Sequence, residues 1–127
     1  MKFTANTAGS TIALSNNGGN APDIKYSRDA VNWTQWDYSA ITLTNAGDYV
    51  YMKGDNSQGF SSLSKYNSFV MTGSIVGSGN IMSLIDNGVY QALTIPCDYC
   101  FYHLFEGCTS LTSSPELPAT TLANYCY

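Results

Sequence analysis

The sequence predicts a mainly β protein built from short antiparallel strands. Charged residues form only 11% of the chain, less than half of the roughly 25% that is usual for soluble domains. Polarity comes instead from Ser, Thr, Asn and Gly, and ten Tyr residues suit a half-buried pleated surface. Turn signals recur at short intervals, and no segment before residue 80 has the 3.6-residue period of a helix. Short strands at this spacing indicate a sandwich or a barrel.

Six runs of β-type residues lie between the turn signals. They cover residues 11–14, 24–27, 32–36, 41–44, 48–53 and 69–76. The runs 24–27 and 32–36 are spaced like the two arms of a hairpin. The run 69–76 predicts one strand that places Phe69, Met71 and Ile75 on the same face.

Charge is unevenly placed along a chain whose net charge is −4. Residues 1–85 hold all five basic residues and five Asp, whereas residues 86–127 hold four acidic residues and no Lys or Arg. Nucleic acid needs clustered cations, so a nucleic-acid partner is excluded, and anionic membrane surfaces are disfavoured for the same reason. No apolar run approaches the ~20 residues of a membrane span, so no membrane insertion is expected. The N-terminus also has no apolar signal-peptide core.

The character of the chain changes near Asn80, which divides it into a sandwich unit, residues 1–80, and a repeat unit, residues 81–127. The string Tyr99-Cys100-Phe101 recurs as Tyr125-Cys126-Tyr127, an offset of 126 − 100 = 26 residues. An offset in the twenties fits one turn of a solenoid. The second copy stops at Tyr127. Because repeat units bury their faces by stacking, residues 1–80 should fold without residues 81–127, but not the reverse.

Two strings in the repeat unit carry a family resemblance. Phe105-Glu106-Gly107-Cys108-Thr109-Ser110-Leu111 and Pro115-Glu116-Leu117-Pro118-Ala119-Thr120-Thr121-Leu122 resemble the BspA-like leucine-rich repeat of bacterial surface proteins, in its Cys- and Tyr-rich variant common in gut Bacteroidetes. The upstream part is similar to the β domain that often precedes such repeats. The resemblance covers nearly the whole chain, although Cys97 stands where the pattern leads us to expect a polar residue.

The resemblance implies a small antiparallel β-sandwich followed by the start of a leucine-rich-repeat solenoid. It also implies a non-catalytic adhesion or recognition protein at the cell surface or outside the cell, with a protein or glycan partner. Two other hypotheses stay open: a structural spacer or tail-associated module of a phage-type mobile element, and a glycan-binding sandwich. The unfinished second copy leads us to expect self-association through the C-terminal edge of the solenoid.

Four cysteines lie in the repeat unit. We expect Cys97, Cys100, Cys108 and Cys126 to be buried structural thiols, because two of them recur at the repeat period and thiols pack well inside coils. The spacing of Cys97, Cys100, Cys108 and His103 also allows zinc on paper, and a disulfide or a redox pair remains an alternative.

No recognised catalytic motif is present, and we expect no enzyme activity and no cofactor. His103 is the only histidine and has no acidic partner evident from the sequence. Trp33, Trp36 and Tyr38 are weak candidates for a ligand-binding platform. Positions 33 and 36 differ by an odd number, so a regular strand would direct the two Trp side chains to opposite faces.

Overall fold

The computed structural model describes residues 1–18, 21–89 and 91–127. Within these ranges the chain forms two β-sheets and one 3₁₀ turn, Ile81–Leu84, which confirms the predicted mainly β class. None of the helical segments described is long and apolar enough to cross a bilayer. The strands are β1 (Lys2–Ala5), β2 (Ser10–Asn17), β3 (Lys25–Ser27), β4 (Thr34–Gln35), β5 (Ile41–Leu43), β6 (Tyr49–Lys53), β7 (Tyr66–Thr72), β8 (Ile75–Ser78) and β9 (Leu111–Ser113).

The larger sheet has the strand order β4-β3-β6-β1-β8-β9, and the smaller sheet has the order β5-β2-β7. All pairs within named strands are antiparallel except β8 with β9, which run parallel. The predicted hairpin is confirmed, because Lys25 pairs with Gln35 and Tyr26 with Thr34.

Alternation along the strands sends apolar side chains into a core shared by the two sheets. Val50 and Met52 on β6 are fully buried, and Phe3 on β1 is fully buried beside them in the same cluster. The Phe3 ring meets Phe69 of β7 edge to face at 5.3 Å between centroids, which joins the larger sheet to the smaller one. Aromatic pairs of this geometry contribute beyond the apolar area that they bury.

The single strand predicted over residues 69–76 is wrong. The chain breaks there into β7 and β8, which belong to different sheets. Gly73 makes the break at φ +81°, a conformation that costs glycine little. A Cβ at this position would also lie 2.3 Å from Ser10 Oγ, so a side chain would collide with β2. Phe69, Met71 and Ile75 are nevertheless all buried, as the pattern indicated.

Packing crosses the predicted boundary at residue 80. Phe101 and Leu104 are buried in the same apolar cluster as the strands. The Phe69 N–H donates to the Leu104 carbonyl at 2.8 Å, and the Phe105 ring stacks on Phe69 at 5.5 Å. Residues 1–80 alone would therefore leave part of their own core uncovered. The structure thus argues against the expectation that they fold independently.

We predict that Phe69→Ala destabilises the protein by about 3–5 kcal/mol, since it removes a ring that contacts both sheets and the C-terminal segment. Val70→Ala is the matched control, because Val70 is the next residue on β7 and is half exposed. That substitution should cost less than about 1 kcal/mol. Urea unfolding of both variants measures the difference, and equal costs would show that the core is not centred on Phe69.

Candidate functional site

The three aromatic residues nominated from the sequence do not form a shared exposed platform. Trp36 is 3% exposed, its ring stacks on Phe69 at 6.3 Å, and its Nε1–H donates to the Ser39 carbonyl at 2.9 Å. Trp36 is therefore a core residue whose polar atom is satisfied internally. Trp33 is half-buried, and both Trp residues lie just outside β4, so the expectation of opposite strand faces stays a prediction.

The other two residues are half-buried and are used within the chain. The Lys53 ammonium lies 4.4 Å from the centre of the Trp33 ring, an arrangement that favours a cation–π contact. The Tyr38 hydroxyl donates to the Pro22 carbonyl, and its ring meets Trp36 edge to face. Neither Trp33 nor Tyr38 therefore forms an exposed binding surface with Trp36, which is buried.

Residues 101–112, named here the closing segment, run along the free side of β7 and reach β8. Cys108 Sγ donates to the Phe69 carbonyl at 2.9 Å, and Ser110 Oγ donates to the Met71 carbonyl at 3.1 Å. Thr112 Oγ1 donates in the same way to the carbonyl of Ile75 in β8, also at 3.1 Å. Cys108, Ser110 and Thr112 are small donors at every second position of the closing segment. Their side chains provide hydrogen-bond partners for backbone carbonyls of β7 in the smaller sheet and β8 in the larger sheet.

The remaining cysteines gather under the loop that precedes β7. Cys100 is fully buried, Cys126 is 6% exposed and Cys97 is half-buried, and all four cysteines of the chain are free thiols. A Cβ at Gly59 would lie 2.2 Å from Cys97 Sγ and 3.9 Å from Cys100 Sγ. Glycine is thus required at position 59 for the loop to close over the two sulfurs.

Burial raises the pKa of Cys100 to about 12, and the neighbouring Cys97 and Cys126 sulfurs act in the same direction. Burial also raises the pKa of Cys108. Because the thiolate is the reactive form, a raised pKa makes Cys100 and Cys108 less reactive than an ordinary thiol at neutral pH. This supports the prediction of structural thiols for these two residues.

Across the described ranges no group of three or more His, Cys, Asp or Glu side chains is placed to hold a metal ion. His103, which the sequence left without an acidic partner, pairs through Nδ1 with Glu106 Oε2 at 2.8 Å. Sequence reasoning missed this pair although the two residues are only three apart.

The two copies of the Tyr-Cys-aromatic string stack on each other in parallel. Thr94 bridges Thr121 in a parallel pairing, and the Phe101 N–H donates to the Cys126 carbonyl at 2.8 Å. The Asn124 N–H donates to Asp98 Oδ1 at 2.9 Å. The second copy therefore lies against the first at the 26-residue offset found in the sequence.

Aromatic rings repeat the same stacking. The Tyr99 and Tyr125 rings are parallel to within 7° at 5.1 Å, and the Phe101 and Tyr127 rings are parallel to within 10° at 5.8 Å. Tyr99 and Tyr125 also share a left-handed backbone, with φ of +58° and +51°. Equivalent positions thus adopt equivalent conformations in both copies.

A continuous surface of rings extends from this stack to β7. Tyr102 meets Tyr99 edge to face at 5.4 Å, and the His103 ring lies 3.7 Å from Tyr102 and 4.6 Å from Tyr66. The outermost ring, Tyr125, is 70% exposed. We call these five residues the tyrosine array. No sequence signal joined Tyr66 to the others, because the contact depends on the closing segment.

A shallow, almost wholly apolar cavity of about 260 Å³ lies beside the second copy. Leu117 is half exposed at its rim. The cavity is lined mainly by Ile81, Phe101, Leu104, Phe105, Leu117 and Tyr127.

No protein-family model, no curated protein and no solved structure matches this chain.

We predict that native alkylation with iodoacetamide at pH 8 modifies Cys100 and Cys108 more slowly in the folded chain than in the unfolded chain, because burial raises the pKa of both thiols. In denaturant all four cysteines should react to the same extent with or without prior reductant, as peptide mass spectrometry would show. A cysteine that becomes reactive only after reduction would reveal a disulfide and contradict the assignment of four free thiols.

Proposed function

We propose that the chain is a non-catalytic recognition module of a cell-surface or extracellular protein, in which a small β-sandwich caps the start of a leucine-rich solenoid. The observation that supports its solenoid part is the parallel stacking of the two copies, whereas recognition at the cell surface follows from the family resemblance alone. Their backbone pairing, ring stacking and shared left-handed tyrosines are what coils of a solenoid need in order to repeat.

The uncovered side of the second copy supports a solenoid that can continue. Leu122 is 61% exposed and Tyr127 43%, and Tyr127 also lines the apolar cavity. In the first copy, Leu104 and Phe105 follow the aromatic string and fill the core. The corresponding residues of a further coil would fill the cavity. The same surface leaves self-association through this edge as a prediction.

The sandwich part of the proposal is supported by the two sheets and the apolar core between them. A solenoid buries its side chains by stacking and needs a cap where its first coil would otherwise face water. In this chain β9 pairs in parallel with β8 at the edge of the larger sheet. Beyond the ends of these two strands, Asn80 and Glu116 form a further parallel bridge. In the proposed arrangement, the larger sheet would be the surface against which the first coil packs.

We predict that appending a copy of residues 102–127 after Tyr127 raises the melting temperature. This extension keeps the 26-residue phase, so its apolar residues can cover the cavity and its strand can pair with the second copy. Each kcal/mol gained should raise the melting temperature by about 2–4 °C in a chain of the extended length.

The matched control appends the same 26 residues in scrambled order, which preserves composition but not phase. A rise with the ordered extension alone supports a solenoid. Equal melting temperatures for the original, ordered and scrambled chains would refute it.

The recognition role and the spacer hypothesis differ in where the protein is found. Antibody against this chain should label intact producing cells, and external protease should remove the signal, if the protein acts at the cell surface. Recovery of the protein only in phage-like particles would contradict surface recognition and favour the tail-associated module. The glycan-binding hypothesis relied on an exposed platform of Trp33, Trp36 and Tyr38. These residues do not form one, because Trp36 lies in the core.

A further inference from the structure

Exposed or half-buried aromatic rings elsewhere in the molecule lie under the chain's own lysines. The Lys2 ammonium lies 4.2 Å from the centre of the Tyr49 ring and 5.6 Å from that of Tyr51. Lys53 covers Trp33 in the same way. Ring faces attract cations because their π-electrons carry negative charge, so these lysines stabilise surfaces that would otherwise be bare.

The tyrosine array is a larger aromatic surface without such a cation. Within the ranges that the structure describes, no Lys or Arg is placed over its rings, and residues 86–127 contain none. Acidic groups border it, although the exposed Lys65 directly precedes Tyr66 at the β7 end of the array. Asp98 bonds to Asn124 beside Tyr125, and Glu106, whose side chain is 57% exposed, pairs with His103. Rings and carboxylates together have the chemistry that attracts a cation.

The array is also held in place at a conformational cost. Tyr99, His103 and Tyr125 have φ of +58°, +59° and +51°, a region that side chains with a Cβ rarely adopt. Three of its five members thus keep an unfavourable backbone conformation, as do Ala30, Tyr38 and Asn87 elsewhere in the described chain. Such strain persists where the surrounding structure imposes it, and it is concentrated at functional sites.

We propose that the tyrosine array, with Glu106 and Asp98 at its border, binds arginine or lysine side chains of a basic protein partner. The proposal identifies the partner class of the recognition module and rests on that function for its biological setting. The binding itself can be measured separately. The planar guanidinium of arginine suits the array best, because it can stack on a tyrosine ring while bonding to a carboxylate.

The probe is an eight-residue peptide of alternating Gly and Arg, titrated into the full chain while the tyrosine ring protons are followed by NMR. The matched probe replaces each Arg with citrulline, which has nearly the same shape and no charge. We expect ring protons of Tyr125 and Tyr102 to shift with the arginine peptide and not with the citrulline peptide. Tyr49 should stay unchanged, because Lys2 already covers its ring.

Variants separate ring recognition from diffuse attraction to an acidic protein. Tyr125→Leu keeps the charge and should weaken binding by about threefold to tenfold, the loss expected for one cation–π contact. Tyr125→Phe keeps the ring and should bind within about twofold of the original chain. Glu106→Gln should weaken binding and reduce its dependence on salt. Tyr49→Leu is the control and should have no effect.

The proposal is overturned if Tyr125→Leu binds the arginine peptide as tightly as the original chain, since attraction would then be diffuse. It is equally overturned if the citrulline peptide binds as well, or if a neutral oligosaccharide shifts the same rings and the arginine peptide does not. These results are independent of the appended-repeat experiment, so a solenoid without arginine binding and arginine binding without a solenoid can be told apart.

Discussion

The structure depends on how the free side of β7 is covered. A strand at the edge of a sheet leaves backbone groups without partners, and such edges invite pairing with other chains. Here the Leu104 carbonyl accepts from the Phe69 N–H, while Cys108 and Ser110 donate to the carbonyls of Phe69 and Met71. Each of these hydrogen bonds comes from the closing segment, and two use side chains where a further strand would use its backbone.

This covering also places the apolar side chains that complete the core. Phe3, Phe69 and Phe105 contact one another across the larger sheet, the smaller sheet and the closing segment. The closing segment then leads through β9 to the second copy, which lies on the first. The packing of the closing segment against β7 also positions the recognition surface that we propose, because Tyr102 and His103 belong to this segment and contact Tyr66 of β7.

Periodicity allowed the buried faces to be predicted, because alternation depends only on local geometry. The burial of Phe69, Met71 and Ile75, which the alternation places on one face, illustrates this. Strand β1 was missed because four residues at the N-terminus carry little pattern, although β1 pairs with both β6 and β8 in the larger sheet. The break at Gly73 was missed because its cause, the approach of Ser10, is a contact between residues far apart in sequence.

The candidate site was harder to predict than the fold. The 26-residue offset correctly located the residues that stack, and Cys100 is buried as the repeat phase suggested. Cys108 was assigned to packing, but the signal for its hydrogen-bonding role was present, since Cys108, Ser110 and Thr112 are small donors at alternate positions. The contact of Tyr66 with the other rings of the tyrosine array had no comparable signal, because it joins β7 to the repeat unit through tertiary contacts alone.

The central claim is that the sheets and the C-terminal segments form one cooperative unit joined by the closing segment. Native-state hydrogen exchange across a series of low denaturant concentrations tests it most directly. The Leu14 and Met52 amides report on the sheets, and the Phe101 and Leu104 amides report on the C-terminal segments, since all four are hydrogen-bonded. We predict the same opening free energy for the four amides, equal to that of global unfolding. Exchange of Phe101 and Leu104 at a clearly lower free energy, with Leu14 and Met52 still protected, would contradict the account.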